Sequence, residues 1–122
     1  AQAPVSLVID HYGLYGRERP DGAAGRRLLD LMSLHHVWMK LSAPYRLSER
    51  FPDYPDARPF HEALLRANPQ RLMWGTDWPH PSIPGEIMPD DGHLFDLFCQ
   101  WTPGEQMRRC ILVETPARLF GN

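Results

Sequence analysis

Arg71-Leu72-Met73-Trp74-Gly75-Thr76-Asp77-Trp78-Pro79-His80-Pro81 is the stretch on which the reading of this chain turns. A short apolar run, Leu72 to Trp74, stops at a glycine and is followed by Thr-Asp and then Trp-Pro-His-Pro. The pattern predicts a buried strand that delivers one carboxylate, Asp77, to its C-terminal mouth, where α/β folds bind ligands. The stiff Pro-bracketed loop beyond it can wall a pocket and present the His80 imidazole. Asp also caps turns in front of Pro-rich loops, and spacing alone leaves both readings of Asp77 open.

Two more segments read in the same way. Val5 to Asp10 (VSLVID) and Val37 to Leu41 (VWMKL) are short, nearly continuous apolar runs, which predicts strands covered on both faces. Between the strands lie helical patterns. One runs from about Ala24 to Leu34, with Leu28, Leu29, Leu31 and Met32 as its apolar face. Another opens at Pro59 and carries Phe60, Ala63, Leu64 and Ala67, until Asn68-Pro69 stops it. After a long loop from Thr76 to about Gly92, Leu94, Leu97, Phe98 and Trp101 repeat at i, i+3, i+4, i+7 and predict a further helix. Thr102-Pro103-Gly104-Glu105 reads as a capping box opening the next one, which carries Met107, Cys110 and Ile111. Thr115-Pro116 reads as the same device for a last short turn. Strands alternating with helices predict a parallel sheet of β/α units over residues 1–122. Three strands are too few to close a barrel, so the chain reads as part of a fold.

Composition narrows the function. The chain has 122 residues, 43% hydrophobic and 23% charged, with a net charge of −2, as expected of one globular domain. Neither nucleic acid nor a membrane is expected as a partner. Ala1-Gln2-Ala3-Pro4 has no signal-peptide pattern, and Cys99 and Cys110 lack metal or redox spacing. They read as free thiols, and the expected location is cytoplasmic. Of the thirteen basic residues only Lys40 is a lysine. His35 and His36 read as structural residues at a helix end. His61 and His93 read as solvated residues in the first turns of helices.

The strand ends collect chemistry. The first delivers Asp10 and His11, the second Lys40 and Ser42 with Tyr45 and Arg46 just beyond, and the third Asp77 and His80. A carboxylate to take a proton from water, an imidazole to polarise a carbonyl and a guanidinium to hold a carboxylate suit hydrolysis of an anionic ester or lactone.

VIDHYG, VWMKLSAPYRLS, RLMWGTDWPHP and VETPARLFGN together resemble the amidohydrolase superfamily. The likeness is to its amidohydrolase 2 group, which includes 2-pyrone-4,6-dicarboxylate lactonase and related lactonases. It covers essentially the whole chain and is most specific in GTDWPHP. It implies α/β architecture, the C-terminal part (about strands six to eight and the closing helices) of a (β/α)₈ TIM barrel with its site at the strand C-termini. It implies a hydrolase in which Asp77 is the base for water and His11 a catalytic partner. Arg46 and Tyr45 would bind the substrate's carboxylate, and His80 would support them. It also implies a carboxylated lactone as the small-molecule partner.

Metal-using members of the family would draw on Asp77 and His11 for zinc or manganese, but two ligands make a poor site. The family's strand-one His-x-His pair has no counterpart here. Ala43 stands where the KLSG run has Gly, and Glu114-Thr115 where many relatives have Asp-Asn. On this reading the isolated chain is inactive and needs an N-terminal half-barrel or an oligomer to complete its pocket. Two rivals remain: a metal-dependent decarboxylase of the same superfamily, and a non-catalytic half-barrel that completes itself by assembly.

Overall fold

The computed structural model describes residues 7–14, 23–34, 36–46, 48, 50–75 and 85–120. Three strands, β1 (Leu7–Ile9), β2 (Val37–Leu41) and β3 (Leu72–Trp74), pair side by side in the order β1-β2-β3, both pairs parallel. Ile9 lies opposite Met39 and Leu41 opposite Trp74. All three C-terminal ends therefore open on one edge.

Helices connect and cover them. They are α1 (Ala23–Leu31), α2 (Arg58–Ala67), α3 (Asp91–Trp101), α4 (Glu105–Arg109) and α5 (Thr115–Phe120). In β2 the alternation is clean: Val37, Met39 and Leu41 are buried, whereas Trp38 and Lys40 are half-buried. The buried set packs under α2 and α3, with Phe60, Leu64, Leu97 and Phe98 in the same cluster. Coverage on both faces, expected from sequence, is not what the described residues provide: Leu7 is 49% exposed, and Val8 and Ile9 are half-buried. The second face of such a sheet is the one a closed barrel turns inward and fills with side chains from its other strands.

The second and third strands match their sequence patterns, and Leu94, Leu97, Phe98 and Trp101 form the buried face of α3 as expected. Leu31 and Ala67, assigned to apolar stripes, are exposed instead. The capping box is corrected more substantially. Gly104 (φ 102°), not Thr102, is the N-cap of α4, and Thr102 ends α3. The Thr102 hydroxyl is engaged with His61 at 2.8 Å and does not cap the helix that follows.

Thr115-Pro116 does not open a separate turn either. Residues 105–120 run on through a wide π-turn, Cys110–Glu114, in which the Thr115 N–H reaches the carbonyl of Cys110. Pro116 has no N–H, and its ring would strike the Leu112 carbonyl of a regular α-helix. An expanded turn relieves that conflict. The Thr115 hydroxyl donates to the Gln70 carbonyl at 3.0 Å, tying this segment to the turn before β3.

Candidate active site

Each candidate follows from a strand end. After β1 the chain turns sharply through the 3₁₀ segment His11–Leu14, and His11 and Tyr12 both adopt left-handed backbone, with φ of 52° and 54°. Such values are uncommon outside glycine, and more so for a bulky ring than for histidine. His11 Nδ1 lies 3.0 Å from Ser42 Oγ, so the neighbouring strand end fixes the imidazole. Ser42 is itself buried.

The next residue, Ala43, is also left-handed at φ 55° and buried. A glycine at this position, without a Cβ, would adopt the conformation with little strain. Tyr45 and Arg46 follow in the 3₁₀ turn Pro44–Arg46. The Tyr45 ring packs on that of Tyr54, 6.3 Å between centroids. Only the backbone of Arg46 is described, so the direction of its guanidinium lies outside the described residues. Asp77, His80 and Trp78 also lie outside them.

The structure thus brings His11, Ser42 and Tyr45 to one edge of the sheet. Gly75, two residues before Asp77, follows directly on the adjacent strand β3. Lys40 pairs with Asp10 at 3.2 Å, both half-exposed, so the pair adds little stability. Among the described residues no group of three or more His, Cys, Asp or Glu side chains is placed to hold a metal ion. Asp10 faces Lys40, and the Nδ1 of His11 faces the Ser42 hydroxyl.

His61 was misread from sequence. It is not solvated: it is fully buried on α2, with Tyr12 Oη 2.8 Å from its Nδ1 and Thr102 Oγ1 2.8 Å from its Nε2. Phe98 and Trp101 meet its ring edge-on. Burial, with the Arg58 charge adding to it, pushes the His61 pKa down to about 3, so the ring is neutral at physiological pH. Burial also raises the Tyr12 hydroxyl pKa, keeping it protonated. The sequence carried one signal for this placement: His61 stands three residues before Leu64, on the same helix face. His93 is no free surface residue either, since its Nε2 meets Asp53 Oδ1 at 2.8 Å. Cys99 and Cys110 are free and half-buried. No helix of the described residues is long and apolar enough to cross a membrane.

Comparison with known proteins sets this edge in context. The amidohydrolase family model matches residues 1–122. The 4-sulfomuconolactone hydrolase of Hydrogenophaga intermedia is 40% identical over 99% of this chain and 41% of its own length. The 2-pyrone-4,6-dicarboxylate hydrolase of Comamonas testosteroni is 36% identical over 96% of the chain and 41% of its own. An apo crystal structure from Agrobacterium tumefaciens superposes with a TM-score of 0.86 at 34% identity, covering 98% of this chain and 43% of that one. A zinc-bound Burkholderia multivorans amidohydrolase gives 0.74 at 29% identity, covering 96% and 44%. The chain spans about two fifths of the length of the curated relatives it matches. Its three parallel strands and closing helices are the C-terminal part of a TIM barrel, and the chain belongs to the amidohydrolase family, in its amidohydrolase 2 group.

Proposed function

We propose that the protein carrying this chain hydrolyses a lactone, or a similar cyclic ester, of a carboxylated small molecule. The observation that carries the reading is His11, held by Ser42 at the joined C-terminal ends of two adjacent parallel strands. Its support is a family whose relatives include two named lactone-type hydrolases.

In this reading Asp77, three residues beyond the end of β3, takes a proton from the attacking water. His11, held at Nδ1 by Ser42, polarises the lactone carbonyl, where negative charge develops as water adds. Arg46 grips the substrate carboxylate through a two-pronged pair, with Tyr45 beside it and His80 supporting the Asp77 loop. Collapse of the tetrahedral intermediate breaks the ring C–O bond, and the departing ring oxygen takes up the proton held by Asp77, leaving a hydroxy acid. His11 and Asp77 supply two donors, short of the four that zinc takes, so zinc or manganese would need ligands from other strands. No step above depends on one. The 122 residues alone are expected to be inactive, because hydrolysis needs polar groups from the other strands of the barrel.

A panel of carboxylated lactones offered to the full-length protein, with Asp77→Asn and Arg46→Met alongside, tests the reading. Asp77→Asn is expected to lower kcat by about 10³-fold. Arg46→Met should act mainly on KM. Turnover of no lactone, or full activity in Asp77→Asn, would count against it.

A further inference from the structure

We propose that Tyr12 and His61 are positioning residues for His11, through a buried Tyr12–His61–Thr102 chain that clamps the left-handed turn presenting the His11 ring. The inference rests on the role proposed above for His11.

Three observations carry it. First, His11 and Tyr12 are consecutive left-handed residues, an arrangement that persists only where surrounding contacts fix it. Second, the side chain next to His11 provides that fixing. The Tyr12 ring is buried against Phe60, and its hydroxyl meets His61 at 2.8 Å. Third, His61 is anchored at its other nitrogen by Thr102 at the end of α3. Together the three span from the mouth of β1 through α2 to α3.

The proton arrangement follows from acidity. A phenol is a stronger donor and a poorer acceptor than an aliphatic hydroxyl. Tyr12 therefore donates to Nδ1 of the neutral His61, and Nε2–H donates to Thr102 Oγ1. Each bond is directional, so the ring orientation of His61 sets where the Tyr12 oxygen must lie. Tyr12 in turn sets the backbone one residue from the imidazole.

An apolar side chain would fill the site of His61 without polar groups to satisfy. What a buried imidazole adds is a fixed direction. Small displacements of a reacting group have large effects on rate, about a hundredfold for 1 Å.

The test compares Tyr12→Phe, His61→Asn and His61→Gln in the full-length protein. It reads the ¹⁵N signals of the His11 ring, which report its tautomer and hydrogen bonding, and kcat and KM on a carboxylated lactone. An Asn amide oxygen falls near the Nδ1 position and accepts from Tyr12, whereas a Gln amide reaches towards Thr102. Tyr12→Phe and His61→Gln are expected to move the His11 signals and to lower kcat about tenfold, with KM changed less than about twofold. His61→Asn should recover both readouts towards wild type. His11 signals unchanged in all three folded variants, or Gln recovering them as well as Asn, would overturn the proposal. Signals that move while kcat stays constant would uphold the positioning and instead refute the catalytic reading of His11.

Discussion

Two regions of this chain are built differently. In the helical layer, α2 and α3 contribute Phe60, Leu64, Leu97 and Phe98 to one core, all nearly inaccessible to solvent and set in regular helix. At the strand ends, His11, Tyr12 and Ala43 all carry positive φ, and polar side chains, Ser42 and His11 among them, replace apolar ones. The first region follows the hydrophobic periodicity and is low in strain. The second departs from local preference and is held in place by hydrogen bonds, as is common where a fold presents functional groups. The Tyr12–His61–Thr102 chain is the place where the two meet.

That division has measurable consequences. The largest belongs to the core. Phe98→Ala, at the contact of α3 with Trp74 and His61, should cost about 3–5 kcal/mol by chemical denaturation. A loss under about 1 kcal/mol would show that the helical layer is not what stabilises the fold.

Next comes pH. The unfolded chain protonates His61 below about 6.5, whereas the folded pKa is about 3, so the unfolded state binds more protons in that window. The contribution of neutral His61 is intact above about 6.5 and is lost as pH falls, by about 1.4 kcal/mol per pH unit. His61→Asn should flatten this dependence between pH 6.5 and 4.5, read from denaturation midpoints. A slope unchanged by the substitution would mean that the imidazole is not buried as described.

Smaller effects test the strand ends. Ala43→Gly removes a Cβ from a left-handed residue and should stabilise by up to about 1 kcal/mol, offset in part by glycine's extra freedom when unfolded. Destabilisation would mean that Ala43 is not strained. Lys40→Met breaks the half-exposed pair with Asp10 and should change stability by less than about 0.5 kcal/mol.

The same division governs how far the sequence could be read. β2, β3 and α3 were legible because their apolar residues recur at strand or helix spacing, and spacing is a local property. The family and its barrel were legible from GTDWPHP and its companion segments. His61 was not, because its burial depends on Tyr12 and Thr102, 49 and 41 residues away in sequence. Thr102 was misassigned for the same reason: the residues that suit a capping box are present, but a distant imidazole takes the hydroxyl. Pro116 read as a helix start because the rule for proline in first turns is local, whereas a π-turn absorbs it within a continuing helix. At the strand ends the residue types were readable, but the hydrogen bond between Ser42 and His11 and the strain at Ala43 needed the fold.

The most direct test of the central claim is the kcat of His11→Gln against wild type, in full-length protein, on whichever carboxylated lactone the wild type turns over. The two should have matching circular dichroism and melting temperatures. A loss of about 10²-fold or more in kcat, with KM little changed, is the expected result and assigns His11 to stabilising the developing charge. Unchanged turnover in a folded His11→Gln protein would contradict the account, leaving the His11–Ser42 pair as architecture alone.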